Sequence, residues 1–190
     1  MSYKKVSTKG YSPFGMKFDG EGFIFKADSA NDRIVGTKAD DHLGGGGGDD
    51  ILNGGAGNDL ISGGAGNDVL TGGAGVDTFG VGGTLGENID RITDFNSKIG
   101  EKMILNALVF EALDVWPKQP VDPDARDSGP LAASNFRIGK SAKDADDRIV
   151  YDKAKGALYY DADGNGAGEA IQFAQLKAGA ALSASCFLIF

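Results

Sequence analysis

Six aspartates stand nine residues apart, Asp32, Asp41, Asp50, Asp59, Asp68 and Asp77, and two places after each comes an apolar residue: Ile34, Leu43, Leu52, Ile61, Leu70 and Phe79. A polar and an apolar position recurring in phase over six rows mark a stack of like units, none of which can bury a core by itself. Four rows are clean, GGGGDDILN (45–53), GGAGNDLIS (54–62), GGAGNDVLT (63–71) and GGAGVDTFG (72–80). They are preceded by two degenerate rows, ADSANDRIV (27–35) and GTKADDHLG (36–44). Glycine opens each clean row and permits positive-φ turns that a Cβ would penalise, and the last three residues alternate outward, inward, outward as a short strand. Each row is thus a turn plus a strand, which predicts an all-β chain whose residues 27–80 form a parallel β-roll, a solenoid of nonapeptide repeats.

One buried apolar residue per row does not offset about 1–2 kcal/mol of backbone entropy for each of nine ordered residues. Something else must hold the stack. If successive rows form opposite sides of a flattened coil, aspartates eighteen residues apart lie one above the other at about the 4.8 Å strand spacing. A calcium ion, which binds oxygen at about 2.3–2.6 Å and takes six to eight oxygen ligands, reaches two such carboxylates and completes its shell from glycine-loop carbonyls. The expected pairs are Asp41 with Asp59, Asp50 with Asp68 and Asp59 with Asp77, with Asp32 and Asp50 a weaker pair because the first row lacks glycines. The glycines assigned to these metal-binding turns are Gly45, Gly46 and Gly48, Gly54, Gly55 and Gly57, Gly63, Gly64 and Gly66, and Gly72, Gly73 and Gly75. Without metal, residues 36–80 set seven aspartates against a single lysine, Lys38, and stacked like charges repel. The metal-free roll is therefore expected to be unfolded, with Ca2+ at three to four sites acting as a folding switch.

Residues 27–80 resemble the repeats-in-toxin, or haemolysin-type, calcium-binding family. DRITDF (90–95), DDRIVYD (146–152), ALYYDADGNGAG (157–168) and IQFAQL (171–176) resemble the C-terminal flanking region of such proteins in Gram-negative bacteria. The resemblance implies export through a type I secretion channel directed by an uncleaved C-terminal signal, then calcium-driven folding outside the cell.

The net charge of −8 argues against nucleic acid and anionic membranes as partners and is better read as metal-binding capacity. No N-terminal apolar run of signal-peptide type and no membrane-spanning segment is present in the sequence. Cys186 is the lone cysteine, which excludes an intramolecular disulfide, and its CFLIF setting predicts a small buried hydrophobe. His42, the single histidine, sits at an outward position, so multi-histidine zinc sites are excluded. Neither H-E-x-x-H nor G-x-S-x-G occurs, and Ser134 stands where a phosphate loop ending at Gly139-Lys140-Ser141 needs its leading glycine. No catalytic residue is nominated; Tyr159 and Tyr160 read as strand-core aromatics.

Along the chain, residues 1–26 are expected to cap the open first row, and 81–190 to form a β-rich C-terminal flanking and secretion-signal region. Within it Ile104, Leu105, Leu108, Val109 and Leu113 keep helix-compatible spacing, predicting a short helix in 101–116. The proline-rich stretch 117–130 reads as a loop, and from Phe136 short segments with turns KAKG and DGNG read as antiparallel strands. The end, Phe187-Leu188-Ile189-Phe190, resembles the last residues of type I export signals and reads as an address separable from the fold. Two further metal candidates have a bland alternative each. Asp90 and Asp94 are either donors to one more site at the end of the roll or a turn and strand edge. Asp161, Asp163, Asn165 and Gly166 fit the first half of a D-x-[DN]-x-[DN]-G calcium loop, yet Gln172 holds the twelfth position where a glutamate is expected, and a solvated turn is the alternative.

The functional expectation is a secreted, non-enzymatic calcium-binding protein with an adhesive or matrix role, its partners being calcium ions, a type I exporter and a polysaccharide or cell surface. Met1 followed by SYKK, with about 26 residues before the roll, favours a stand-alone protein. The alternative is the secretion and folding module of a longer exported enzyme, a protease, a lipase or a polysaccharide-modifying enzyme.

Overall fold

The structure, a computed structural model, describes residues 29–81, 83–113 and 129–190, together with the backbone of three short strands at 4–5, 16–17 and 23–26. These three are β1 (Lys4–Lys5), β2 (Met16–Lys17) and β3 (Phe23–Lys26). The repeats supply β4 (Asp32–Val35), β5 (His42–Gly47), β6 (Ile51–Ala56), β7 (Leu60–Ala65), β8 (Val69–Ala74) and β9 (Thr78–Val81). Then come β10 (Asp90–Ile92), β11 (Lys102–Leu105), β12 (Gly129–Pro130) and β13 (Phe136–Ile138). The last four are β14 (Ile149–Asp152), β15 (Ala157–Tyr160), β16 (Ile171–Gln175) and β17 (Phe187–Ile189). The fold is all-β, and among the described residues it is broken by three short 3-10 turns.

Alternate rows go to opposite sheets, because nine residues carry the chain halfway round and eighteen bring it back. One sheet runs β1-β4-β6-β8-β10-β16-β15-β14-β13, the other β12-β17-β11-β9-β7-β5-β3-β2. Register within the roll is an unbroken eighteen: Leu43 faces Ile61 and Ile61 faces Phe79, while Ile34 faces Leu52 and Leu52 faces Leu70, all in parallel pairing. Each sheet therefore contributes one inward column of apolar side chains, Ile34, Leu52, Leu70 and Ile92 against Leu43, Ile61, Phe79, Met103 and Phe187, all buried. Removing that surface from water at roughly 25 cal/mol per Å2 is what the repeated apolar position contributes.

The strands are longer than three residues per row. β6, β7 and β8 each run on into the opening glycines of the next row, so those glycines are strand and turn at once. Gly54 is buried within β6, and a Cβ there would collide with the Asp59 carboxylate. Glycine is required at that place by the closeness of an oxygen as well as by turn geometry. β3 pairs in parallel with β5, Phe25 opposite Leu43, so a strand precedes the first recognised row. The rest of the N-terminal stretch read as a cap lies outside the described residues, as does the proline-rich loop apart from β12.

The described part of the stretch expected to be helical, residues 101–113, holds no α-helix. Lys102–Leu105 is β11, with Met103 and Leu105 inward in register with Phe79 and Val81. The two-residue period of a strand wins because a partner strand is already waiting there. Leu108, assigned to an apolar helix face, is 85% exposed, whereas Phe110 is fully buried in the turns that follow. Phe110 stacks edge-on against Tyr160 and Phe173 at 5.1 and 5.0 Å.

The last region contains the expected antiparallel pairs, β14 with β15 and β15 with β16, but β13 joins β14 in parallel. It continues the sheets of the roll: β16 pairs in parallel with β10, and β17 with β11. The terminal segment read as a separable address is thus an interior strand, held between β11 and β12 with Phe187 and Ile189 buried. Cys186 beside it is buried and free. We expect Phe187→Ala to cost about 3–5 kcal/mol, the usual loss for a fully buried phenylalanine, measured by urea denaturation in saturating calcium. A loss below about 1 kcal/mol would be incompatible with this packing.

Candidate metal centre

Asp32 opens β4, and each of the other five repeat aspartates immediately precedes its strand. The six, Asp32, Asp41, Asp50, Asp59, Asp68 and Asp77, are each 0–2% exposed. One oxygen is used in a ladder: the backbone N–H of Asp32 donates to Asp50 Oδ1 at 2.7 Å, Asp41 to Asp59 at 2.8 Å, Asp50 to Asp68 at 2.8 Å and Asp59 to Asp77 at 2.9 Å. The eighteen-residue pairing is present, and what makes it is this charge-assisted bond from main chain to side chain.

The other oxygen has no such partner. Oδ2 of Asp50, Asp59, Asp68 and Asp77 is buried without a hydrogen bond, as is Oδ1 of Asp32 at the head of its column. A buried carboxylate oxygen left unpaired costs about 1–3 kcal/mol or more, and four in successive rows are not an accident of packing. Each faces the opening glycine of its own row. At Gly45 and Gly54 the same small space is shared with a main-chain oxygen two rows on: a Cβ on Gly45 would fall 2.5 Å from the Gly63 carbonyl, and one on Gly54 would fall 2.7 Å from that of Gly72. Anionic and carbonyl oxygens converging on a space closed to side chains suit a hard divalent cation. Among the described residues no three acidic, imidazole or thiol side chains converge on one point, so any ion here must draw on main-chain carbonyls.

Burial, together with the neighbouring aspartates of the column, pushes the Asp50 and Asp59 carboxyls up to about 6, even though each accepts a backbone N–H that pulls the other way. Asp68 and Asp77 are raised as well, first by burial.

The degenerate row behaves differently. Thr37 stands where the clean rows have their second glycine, and its N–H and hydroxyl both donate to Asp41 Oδ2, at 2.5 and 2.9 Å. Asp41 thus finds within the protein what Asp50 and Asp59 lack.

Two features escaped the sequence reading. The residue before each aspartate forms a second ladder of opposite polarity, in which Asn31, Asp40, Asp49, Asn58 and Asn67 accept through their side-chain oxygens from Asp49, Asn58, Asn67, Val76 and Ile89 N–H at 2.6–3.0 Å. Its signal, Asn or Asp at one place in five consecutive rows, was available in the repeat itself. The other is Glu101. Asp90 continues one column, accepting from Asp68 N–H at 3.3 Å, and Glu101 takes the corresponding place after Asp77 in the other. It is 3% exposed and pushed up to about 7 by burial, with Asp77 and Asp94 adding to the effect. The interruption after the last repeat breaks the nine-residue count, which hid it. Asp94 is exposed and accepts from Gly72 and Gly73 N–H at 3.0 and 2.9 Å, closing the last turn of the roll.

Asp161, Asp163 and Asn165 are brought together elsewhere, in the loop between β15 and β16, and not with the repeat aspartates. His42 faces outward and is exposed. No helix among the described residues is long and apolar enough to cross a membrane.

In sequence, residues 27–61 and 44–79 match the model of the RTX calcium-binding nonapeptide repeat. Two solution structures of subunits of the Azotobacter vinelandii mannuronan C5-epimerase resemble the chain. The AlgE6R3 subunit is 27% identical with a TM-score of 0.51 over 85% of this chain and 79% of that one. The AlgE6R2 subunit, 24% identical with a TM-score of 0.53 over 86% of this chain and 90% of that one, shares the fold. No curated protein matches the chain in sequence.

These carboxyls carry a pH prediction. Their pKa values are raised in the folded state, so the fold binds more protons than the unfolded chain between about pH 4 and pH 6–7. The resulting stability is fully present below the unfolded values and is lost as pH rises through about 6. In chelator, lowering the pH from 7.5 to 4.5 should therefore increase β-structure by circular dichroism. A flat response would mean that the columns are not desolvated.

Proposed function

Because residues 27–79 are RTX calcium-binding nonapeptide repeats, we propose that this chain is a secreted calcium-binding protein whose roll folds on meeting extracellular calcium after type I export. The observation that carries this reading is the set of buried, unpartnered Oδ2 atoms on Asp50, Asp59, Asp68 and Asp77. Each of the four clean rows keeps a carboxylate oxygen out of water with no hydrogen-bond donor from the protein, and a hard cation offsets that desolvation. Three to four sites belong to the roll, with Asp90, Asp94 and Glu101 supplying one more at its end.

The linkage sets the direction of the switch. A ligand that binds only the folded state stabilises it by RT ln(1 + [L]/Kd), about 1.4 kcal/mol per site at tenfold excess. With Kd values of order 10⁻⁴–10⁻³ M, as in extracellular modules, submicromolar cytosolic calcium contributes almost nothing and millimolar external calcium several kcal/mol. A chain that stays unfolded inside and folds outside suits a channel that passes unfolded polypeptide. The buried position of Phe187 and Ile189 adds that an address in the terminal segment is readable only before folding. An adhesive or matrix role follows for a stand-alone protein of this kind.

A second reading has its own support. The likeness to subunits of a mannuronan C5-epimerase favours a module of a longer exported, polysaccharide-modifying enzyme, with a polysaccharide as the partner of this surface. The natural open reading frame separates the two, since only the module reading requires a catalytic part on the same polypeptide.

Circular dichroism during a calcium titration tests the first reading: β-structure should appear cooperatively at 10⁻⁴–10⁻³ M. Magnesium, which demands near-octahedral geometry at about 2.0–2.1 Å and dehydrates reluctantly, should fail to replace it. Equal folding in either ion would remove the basis of the proposal.

The two kinds of row should also differ. Asp59→Ala removes the cap on Asp41 N–H and the oxygen facing Gly54. Asp41→Ala removes a carboxylate already satisfied by Thr37. Calorimetric calcium stoichiometry should fall further in the first variant, and equal losses would contradict the assignment.

A further inference from the structure

The loop joining β15 to β16 gathers polar groups that the roll does not use. Asp161 follows β15 directly, its N–H donating to the Arg148 carbonyl at 2.8 Å. Its side chain is 5% exposed, and Oδ1 is buried with no hydrogen-bond partner. Asp163 comes up beside it, close enough for the two side chains to share a hydrogen bond. Asp163 itself is held in the loop by Gly168 N–H, which donates to Oδ2 at 2.9 Å. The loop wraps tightly round this carboxylate, since a Cβ on Gly166 would collide with it and one on Gly168 would fall 2.8 Å from Oδ1.

Main-chain oxygens close the other side. Gly164, with φ +64°, turns the chain against the segment before β14, where a Cβ would lie 2.6 and 2.7 Å from the Asp144 and Ala145 carbonyls. Asn165 N–H donates to the same Asp144 carbonyl at 3.2 Å. That segment is itself pinned, because Asp147 Oδ2 accepts from Lys143 and Asp144 N–H at 2.8 and 3.1 Å.

Asp161 accepts from the Asp163 and Gly164 backbone N–H groups, yet its Oδ1 stays buried and unpartnered beside a second carboxylate, an arrangement that favours a shared proton or a cation. Among the described residues no basic side chain forms an ion pair with either: Arg137 pairs with Asp147 and Lys155 with Asp152. The order Asp161, Asp163, Asn165, Gly166 is the first half of a calcium loop. Its missing twelfth-position glutamate has a structural counterpart in Gln172, which lies on β16 and donates to the Ala174 carbonyl at 3.4 Å and Gln175 Oε1 at 3.2 Å.

We propose that this loop is a calcium site separate from the roll, in which Asp161, Asp163 and Asn165 hold one ion that staples the loop to the Asp144–Ala145 segment. It does not depend on the roll binding calcium.

Terbium separates the two classes of site. Tyr160 adjoins Asp161, whereas residues 27–80 contain neither tyrosine nor tryptophan, so tyrosine-sensitised emission from the full chain reports the loop in preference to the repeats. Asp161→Asn and Asp163→Asn should each lower calcium stoichiometry in equilibrium dialysis by one ion and reduce sensitised emission several-fold, while the calcium-induced circular dichroism of the roll persists. Asp59→Asn should do the reverse, weakening the dichroic transition and sparing the emission. Unchanged stoichiometry and emission in both loop variants would overturn the proposal and leave a pair that holds only a proton. Should Asp161→Asn fail to fold, the wild-type amide resonances of Gly166 and Gly168 decide: a saturable shift with calcium supports the site, and no shift refutes it.

Discussion

The structure depends on carboxylates that fold into a place where they cannot be left alone. Asp50, Asp59, Asp68 and Asp77 each use one oxygen on the backbone N–H eighteen residues earlier and turn the other into a dry space beside a glycine. The first bond locks the register of the coil, because slipping one row by a residue would move its Asp and its Leu or Ile to the wrong face together. The second oxygen, dry and unpartnered, is the one that the candidate metal site rests on. Register and the candidate site therefore come from a single side chain, and aspartate holds that place in all six rows. Asparagine could accept the backbone bond, but it carries no charge.

The parts of this architecture legible in the sequence are those written in a fixed period. The β-roll, its two inward apolar columns and its ladder of aspartates all follow from the nine-residue count. What the count could not reach lies past Val81, where the rows stop while the coil continues. Asp90 follows Asp68 by twenty-two residues and Glu101 follows Asp77 by twenty-four, so two members of the columns appear as isolated acids. For the same reason Lys102–Leu105 read as part of a helix: without its neighbours Thr78–Val81 and Phe187–Ile189, the segment shows apolar spacing that either period accommodates. The partner that decides in favour of a strand lies more than eighty residues ahead in the chain. Long-range parallel pairing leaves no local mark on either strand.

That pairing also changes what the end of the chain means. A short apolar terminus reads naturally as a detachable tag. As a strand between β11 and β12 it instead completes the sheet, with Phe187 continuing the column of Phe79 and Met103. The roll grows by stacking like rows, and a stack needs an end that is not another row. Here β10 and β11 leave the repeat while keeping its register, and β16 and β17 pair onto them. The edge that would otherwise offer unpaired backbone groups to other chains is covered. Aromatic side chains, Phe110, Tyr160 and Phe173, then supply the apolar bulk that single aliphatic residues per row cannot.

The two ends of the roll solve the problem of the unpaired carboxylate in different ways, and the difference gives the coil a direction. Toward the N-terminus the repeat loses its glycines, and Thr37 satisfies Asp41 with an N–H and a hydroxyl; the anion is met by neutral donors and a cation adds little. Toward the C-terminus the acids multiply, with Glu101 buried near Asp77 and Asp94, so the demand for positive charge rises. Between these limits the clean rows repeat one arrangement. The coil thus has one row whose carboxylate its own hydrogen bonds satisfy and an end where buried acids accumulate. The demand on the medium for positive charge is therefore greatest where the repeat gives way to the flanking strands.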